Sequence, residues 1–126
     1  DLLFEGDFKV LSDEFYDGNY AAYVDGDIAQ TVYLKPDKTY IVMAMVKDAD
    51  DFTITAENGM VSTVNSQING EWKRIWATID TSGIADNLLT EVSISSQSAY
   101  YADNLFIGEL TEDFYDWEFS VSYIEN

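Results

Sequence analysis

Thr39-Tyr40-Ile41-Val42-Met43-Ala44-Met45-Val46-Lys47 is the run from which the rest of the chain is read. It follows the turn Lys35-Pro36-Asp37-Lys38 and precedes the acidic loop Asp48-Ala49-Asp50-Asp51. Strand side chains alternate between faces, so Tyr40, Val42, Ala44 and Val46 share one side while Ile41, Met43 and Met45 share the other. Both sets are apolar, which predicts a central strand with a core beneath it and a further cover above. What covers the second face is the functional question.

Outward from this run the chain divides into short strands and turns. Leu2 to Val10 reads as a first strand with a bend or bulge at Gly6. A polar connection with Phe15 and Tyr16 leads to a short strand, Asn19 to Val24, and Asp25-Gly26-Asp27 reads as a hairpin-type turn into Ile28 to Leu34. Beyond the central run, Asp51 to Ala56 alternates and ends at the turn Asn58-Gly59, after which Met60 to Val64 continues. Asn65 to Gly70 reads as a polar loop. Glu71 to Asp80, Leu88 to Ser96 and Tyr100 to Leu110 complete the set. No 3.6-residue apolar period persists, and β-branched and aromatic residues dominate. Nine or ten strands at intervals of roughly 8 to 12 residues predict an all-β chain, a two-sheet antiparallel β-sandwich of jelly-roll type. Residues 1–110 form the sandwich; the aromatic and acidic tail 111–126 reads as an extra strand or a linker to a following domain.

The 126 residues suit one domain, and 47% apolar with 15% aromatic residues supplies a core. Against 24 acids stand 6 bases, a formal charge of −18, and no base follows Arg74. That field repels phosphate backbones and anionic lipid surfaces, so nucleic acid and membranes are not expected partners. No apolar run approaches the ~18 residues of a membrane span, and Asp1-Leu2-Leu3-Phe4 opens like a piece of a larger protein. With no cysteine or histidine, thiolate and imidazole metal sites, thiol nucleophiles and Ser-His-Asp triads are excluded. Only carboxylate chemistry remains. Among 24 acids, some pair meets the roughly 5 to 10 Å spacing of a glycosidase by chance, so no enzyme is expected.

Four phrases in order carry a resemblance. Leu2-Leu3-Phe4-Glu5-Gly6-Asp7-Phe8, then Ile28-Ala29-Gln30-Thr31-Val32-Tyr33-Leu34-Lys35-Pro36-Asp37-Lys38-Thr39-Tyr40, then Trp72 through Ala77, and Tyr101-Ala102-Asp103-Asn104-Leu105-Phe106-Ile107 resemble the jelly-roll carbohydrate-binding modules of the family 4, 9 and 22 type. The second phrase stands for Gln-Thr-Val followed by Leu-x-Pro-Gly-x-x-Tyr. The resemblance spans residues 2–107 and implies a galactose-binding-domain-like sandwich that binds polysaccharide or oligosaccharide without catalysis. It also implies structural calcium at the closing aspartate, here Asp103. Lys9 stands where the family often has glutamate, so a Lys9–Asp103 ion pair is expected in place of calcium, with Asp103 on the face of Leu105 and Ile107. Asp25, Asp27, Asp48, Asp50 and Asp51 are other oxygen donors in loops.

If Tyr40, Val42, Ala44 and Val46 face the core, then Ile41, Met43 and Met45 project outward, with Arg74, Trp76 and Thr78 outward on the neighbouring strand. Sugar rings stack apolar faces on aromatic planes while amides, guanidinium groups and carboxylates bind hydroxyls. Trp76, Arg74, Tyr33 and Tyr23 are thus the expected contacts, with Gln30 or Gln97 as polar readers and Met43 and Met45 alongside; Phe15, Tyr16 and Tyr100 are the alternative at the loop tips. The same apolar band also suits a structural or adhesion module binding a protein partner or another domain of the parent protein. Either role belongs in an extracellular, phage or cell-surface setting.

Overall fold

A computed structural model describes the backbone of residues 4–11 and 21–111 and the side chains of 21–111. The strands are β1 (Phe4–Leu11), β2 (Ala21–Leu34), β3 (Thr39–Lys47), β4 (Phe52–Ala56), β5 (Met60–Val61), β6 (Asn65–Asn69), β7 (Trp72–Asp80), β8 (Leu88–Ser96) and β9 (Tyr100–Glu109). All pairings are antiparallel, in the order β4-β8-β2-β9-β3-β7-β5, with β1 on β2 and β6 on β7. No helix occurs among the described residues. The fold is an all-β sandwich of jelly-roll type.

The two layers share β2. Its first half, Ala22 to Val24, pairs with β9, while Asp27 to Leu34 pairs with β8. Asp25-Gly26-Asp27 is therefore the corner of one continuous strand, and not the expected hairpin. Gly26 takes φ 132°, a conformation only glycine adopts without cost. β1 turns the same corner, with its register shifting between Gly6 and Phe8, the bulge expected at Gly6. Gly6 has φ 130°, and a Cβ there would collide with the Asp27 carbonyl oxygen, so the two strands cross the corner in backbone contact.

β3 is central, flanked by β7 and β9. Its Tyr40, Val42, Ala44 and Val46 join Ile75, Ala77 and Ile79 of β7 in the core. Across the sandwich Val92 and Ile94 of β8, Ile28 and Leu34 of β2 and Ile54 of β4 complete it. At roughly 1.5 to 3 kcal/mol for each large side chain withdrawn from water, this cluster is the main source of stability. Residues 65–69 form β6, where a loop was expected. Asn65, Ser66, Gln67 and Asn69 lack the apolar alternation that marks a half-buried strand, and pairing with the edge of β7 orders them. Met60 to Val64 contributes only the two residues of β5 to the sheet. The tail assigned to an extra strand or linker lies outside the described residues beyond Thr111.

Candidate functional site

The outer face of the wider sheet is read in rows, because antiparallel partners point to the same side with Cβ atoms roughly 4.5 to 5.5 Å apart. Asn65, Trp76, Met43 and Phe106 form one row across β6, β7, β3 and β9. The next holds Gln67, Arg74, Met45 and Asp103. A third brings together Asn69 with Trp72, and Lys47 with Tyr101 and Tyr23. The two parts of this third row meet at Lys47, whose ammonium lies 5.6 Å from the Trp72 ring centre and 5.7 Å from that of Tyr101. Tyr101 and Tyr23 stand 5.1 Å apart with planes tilted by 59°. Aromatic planes thus alternate with amides, a guanidinium and a carboxylate on one face.

The methionine band does not project free from the sheet. Ile41 and Met45 are each 2% exposed and Met43 is 9% exposed. Met45 packs with Ala21, Trp72 and Tyr101. Phe106 leans along β9 over Gly108, where a Cβ would meet its ring at 2.6 Å. Gly108 is the β9 partner of Ile41, and Phe106 is the partner of Met43, so the ring lies beside both. Neighbouring side chains thus cover the band itself, which is not the open apolar stripe expected from sequence, while Trp76, Phe106, Tyr101 and Tyr23 around it remain partly exposed.

Of the expected contacts, Trp76 and Tyr23 lie half-buried on this face, with Arg74, Met43 and Met45 buried among them. Tyr33 does not join them. It is 66% exposed on the opposite sheet beside Leu89, because the corner in β2 carries Tyr23 and Tyr33 into different layers. Gln30 does not join them either: at 4% exposed it shares the inward side of β2 with Ile28 and Leu34, opposite Val92. Gln97 is exposed between β8 and β9. Tyr100, placed at the loop tips from sequence, is wholly buried and donates its hydroxyl proton to the Ile94 carbonyl at 2.8 Å. Phe15 and Tyr16 lie outside the described residues.

Asp103 is on the outer face, and not with Leu105 and Ile107. Between Met43 and Met45, β9 holds an extra residue at Asn104, which has φ 51°. The bulge reverses the parity of the strand. Asparagine tolerates this left-handed conformation, and its backbone N–H donates to Asp103 Oδ1 at 2.8 Å. The expected Lys9–Asp103 pair lies outside the described residues, since only the backbone of Lys9, opposite Tyr23, belongs to them. Calcium requires six to eight oxygens. The described residues in register beside Asp103 are Met45 and then Arg74, which do not fit it. Among the described residues no three Asp or Glu side chains gather at a metal-binding spacing, the loop aspartates included.

Trp72, Tyr101, Phe106 and the amides of β6 were not singled out as contacts from sequence. Their signal was parity: positions 72, 74 and 76 share a side, as do 65, 67 and 69. No protein-family model matches the chain, and no curated protein sequence does. Among solved structures, the fold is similar to the CBM22-1 xylan-binding domain of Xyn10C from Paenibacillus barcinonensis. The identity is 14%, the TM-score 0.60, and the match covers 88% of this chain and 96% of that domain. At that identity the likeness shows a shared fold, the jelly-roll sandwich that the four phrases in the sequence imply.

Proposed function

We propose that the chain is a non-catalytic carbohydrate-binding module and that polysaccharide lies along the outer face of the β6-β7-β3-β9-β2 sheet. The observation that carries this reading is the set of three rows, in which the partly exposed Trp76, Phe106, Tyr101 and Tyr23 supply planes and Asn65, Gln67, Asn69 and Asp103 supply hydrogen-bonding groups around the buried Trp72 and Arg74. The fold shared with a xylan-binding domain supports it. A formal charge of −18 favours a neutral polymer over an anionic one. The setting is an extracellular, phage or cell-surface protein.

The test is calorimetry and tryptophan fluorescence against xylan, β-glucan and mannan, with wild type, Trp76→Ala and Tyr33→Ala in parallel. We expect saturable binding to one neutral polymer, weakened at least about tenfold (roughly 1.4 kcal/mol) by Trp76→Ala and unchanged by Tyr33→Ala. Equal effects of the two variants overturn the placement on this face. No binding by the wild type overturns the function.

A second reading, a structural module that contacts protein, is favoured by one observation on the opposite sheet. Tyr33 is 66% exposed, Leu89 61% and Leu88 37%, and Tyr33 and Leu89 are direct partners in register. Concentration-dependent association abolished by Leu89→Glu would support it.

A further inference from the structure

The corner in β2 leaves β9 with one margin that no described strand occupies over most of its length. Ala22 to Val24 of β2 pair with β9 only as far as Ala102, and from Asp27 onward β2 runs in the other sheet. The Leu110 amide donates to the Thr39 carbonyl at 2.7 Å. Counting back in twos, as an antiparallel ladder requires, Gly108 and Phe106 bond to β3. The N–H and C=O groups of Ile107 and Glu109 therefore point the other way, to the vacated margin, and among the described residues no strand pairs with them there. A row of open backbone groups is a template for a further strand.

An apolar slit lies beside this margin, between the layers. Ile28, Gln30, Val42, Val92, Leu105 and Ile107 line it. Its volume is about 10 Å³, room for one water at most, so it is a seam to be covered and not a pocket for a small molecule. The one polar side chain among these six is Gln30, 4% exposed. Among the described residues no hydrogen bond engages its amide, yet no fully enclosed side-chain nitrogen or oxygen lacks a partner, so the amide reaches the mouth of the slit. A nearly buried amide among apolar neighbours calls for a polar partner. What covers the seam is therefore apolar, with a polar tip near Gln30.

The chain that leaves β9 has this character. Thr111 is the last described residue, and residues 112–126 follow it. Tyr115, Trp117, Phe119, Val121 and Tyr123 recur at period two, with Asp116, Glu118, Ser120 and Ser122 at the alternate positions. Tyrosine and tryptophan combine an apolar body with a polar tip. Glu112 to Phe114 is long enough for a hairpin connection. Extended, residues 115–123 span about 30 Å, more than the ~17 Å from Leu105 to Glu109. Leu110 is still bonded to β3, so the tail departs at the margin itself and a short loop closes at little entropic cost.

We propose that residues 115–123 form a further strand, antiparallel to β9 on this margin, with the apolar set over the slit and a Tyr or Trp tip on the Gln30 amide. The chain's own tail is the occupant because it is tethered beside the site and carries the pattern the site needs. Its alternate side, Asp116 to Ser122, widens the outer face of the sheet beyond Phe106.

Amide hydrogen exchange by NMR on the full chain tests this, because neighbouring residues of β9 serve as each other's control. In the wild type the Ile107 and Glu109 amides are expected to be protected as well as those of Phe106 and Gly108. The double variant Phe119→Pro with Ser120→Pro removes a donor from each parity of the tail. In it Ile107 and Glu109 are expected to exchange at least about 100-fold faster, while Phe106 and Gly108 stay unchanged and report an intact fold. Nuclear Overhauser contacts between the Gln30 side-chain amide and a Tyr or Trp of the tail are expected in the wild type and not in the variant. Rapid exchange at Ile107 and Glu109 in the wild type, or protection there that survives the double variant, overturns the proposal. Protection that appears only as protein concentration rises also overturns it, and assigns the margin to a second copy of the chain.

Discussion

Tyr100 shows how one side chain changes meaning between sequence and structure. In sequence it is an aromatic beside a polar turn, a reasonable loop-tip contact. In the fold it is completely buried, its hydroxyl bonded to the Ile94 carbonyl, and Phe52 meets it edge-on at 4.9 Å. Burial pushes the phenol far above its ordinary value, and the nearby Asp27 carboxylate pushes it in the same direction. The folded state therefore keeps a proton that the unfolded chain releases near pH 10. The stabilisation is complete below that pH and is lost as pH rises above it, because the unfolded state then binds fewer protons. We expect the melting temperature to fall steeply above about pH 10. In Tyr100→Phe, about 1 kcal/mol less stable at neutral pH through the lost hydrogen bond, that fall should be much shallower. Calorimetric melts of the two proteins between pH 7 and 11.5 check this; parallel curves would show that another group is responsible.

The turn between β2 and β3 was legible because its chemistry is local. Asp37 takes φ 57° where the family phrase has glycine, and proline at position 36 sets the preceding residue. What holds the turn was not legible, since it comes from 43 to 46 residues away. The buried Thr81 hydroxyl accepts from the Lys38 amide at 2.8 Å and has the Lys35 and Lys38 carbonyls at 2.6 and 3.0 Å for its proton. Its backbone bonds Asp37 and Lys38, while the Tyr40 hydroxyl accepts from the Lys35 amide at 2.8 Å. Thr81→Val preserves shape and removes the hydroxyl, leaving a part-buried amide without its acceptor. The expected cost is about 2 kcal/mol, a drop in melting temperature of roughly 5 to 10 °C. A change under about 1 °C in a thermal melt would show that the backbone bonds alone secure the turn. Asp25-Gly26 was misread for a related reason: a two-residue turn and a strand corner both need glycine at positive φ, and only the partners of β2 distinguish them.

Across the molecule, charge opposes compaction. The formal charge is −18, and the ion pairs Lys38–Glu109, Lys47–Glu71 and Lys73–Asp50 have carboxylates at least 41% exposed, so they return little. Self-repulsion falls as the Debye length shrinks from ~30 Å at 10 mM salt to ~3 Å at 1 M. We therefore expect the melting temperature to rise by roughly 5 °C or more across that range of sodium chloride, where a protein held by surface ion pairs would lose stability. Scanning calorimetry at neutral pH gives the sign directly.

Alternation and turn chemistry were enough to identify the all-β class, the central place of β3 and the inward set Tyr40, Val42, Ala44 and Val46, because period two depends on neighbours along the chain. The outward positions of Trp76 and Arg74 on β7 follow from the same rule. It fails wherever one residue is inserted or a strand changes layer: Asn104 moves Asp103 to the opposite face, and the corner at Gly26 separates Tyr23 from Tyr33. Which residues share the face and how the methionine band is buried depend on pairing between segments distant in sequence. Those pairings are settled by packing of the whole core, which no short stretch of the chain contains.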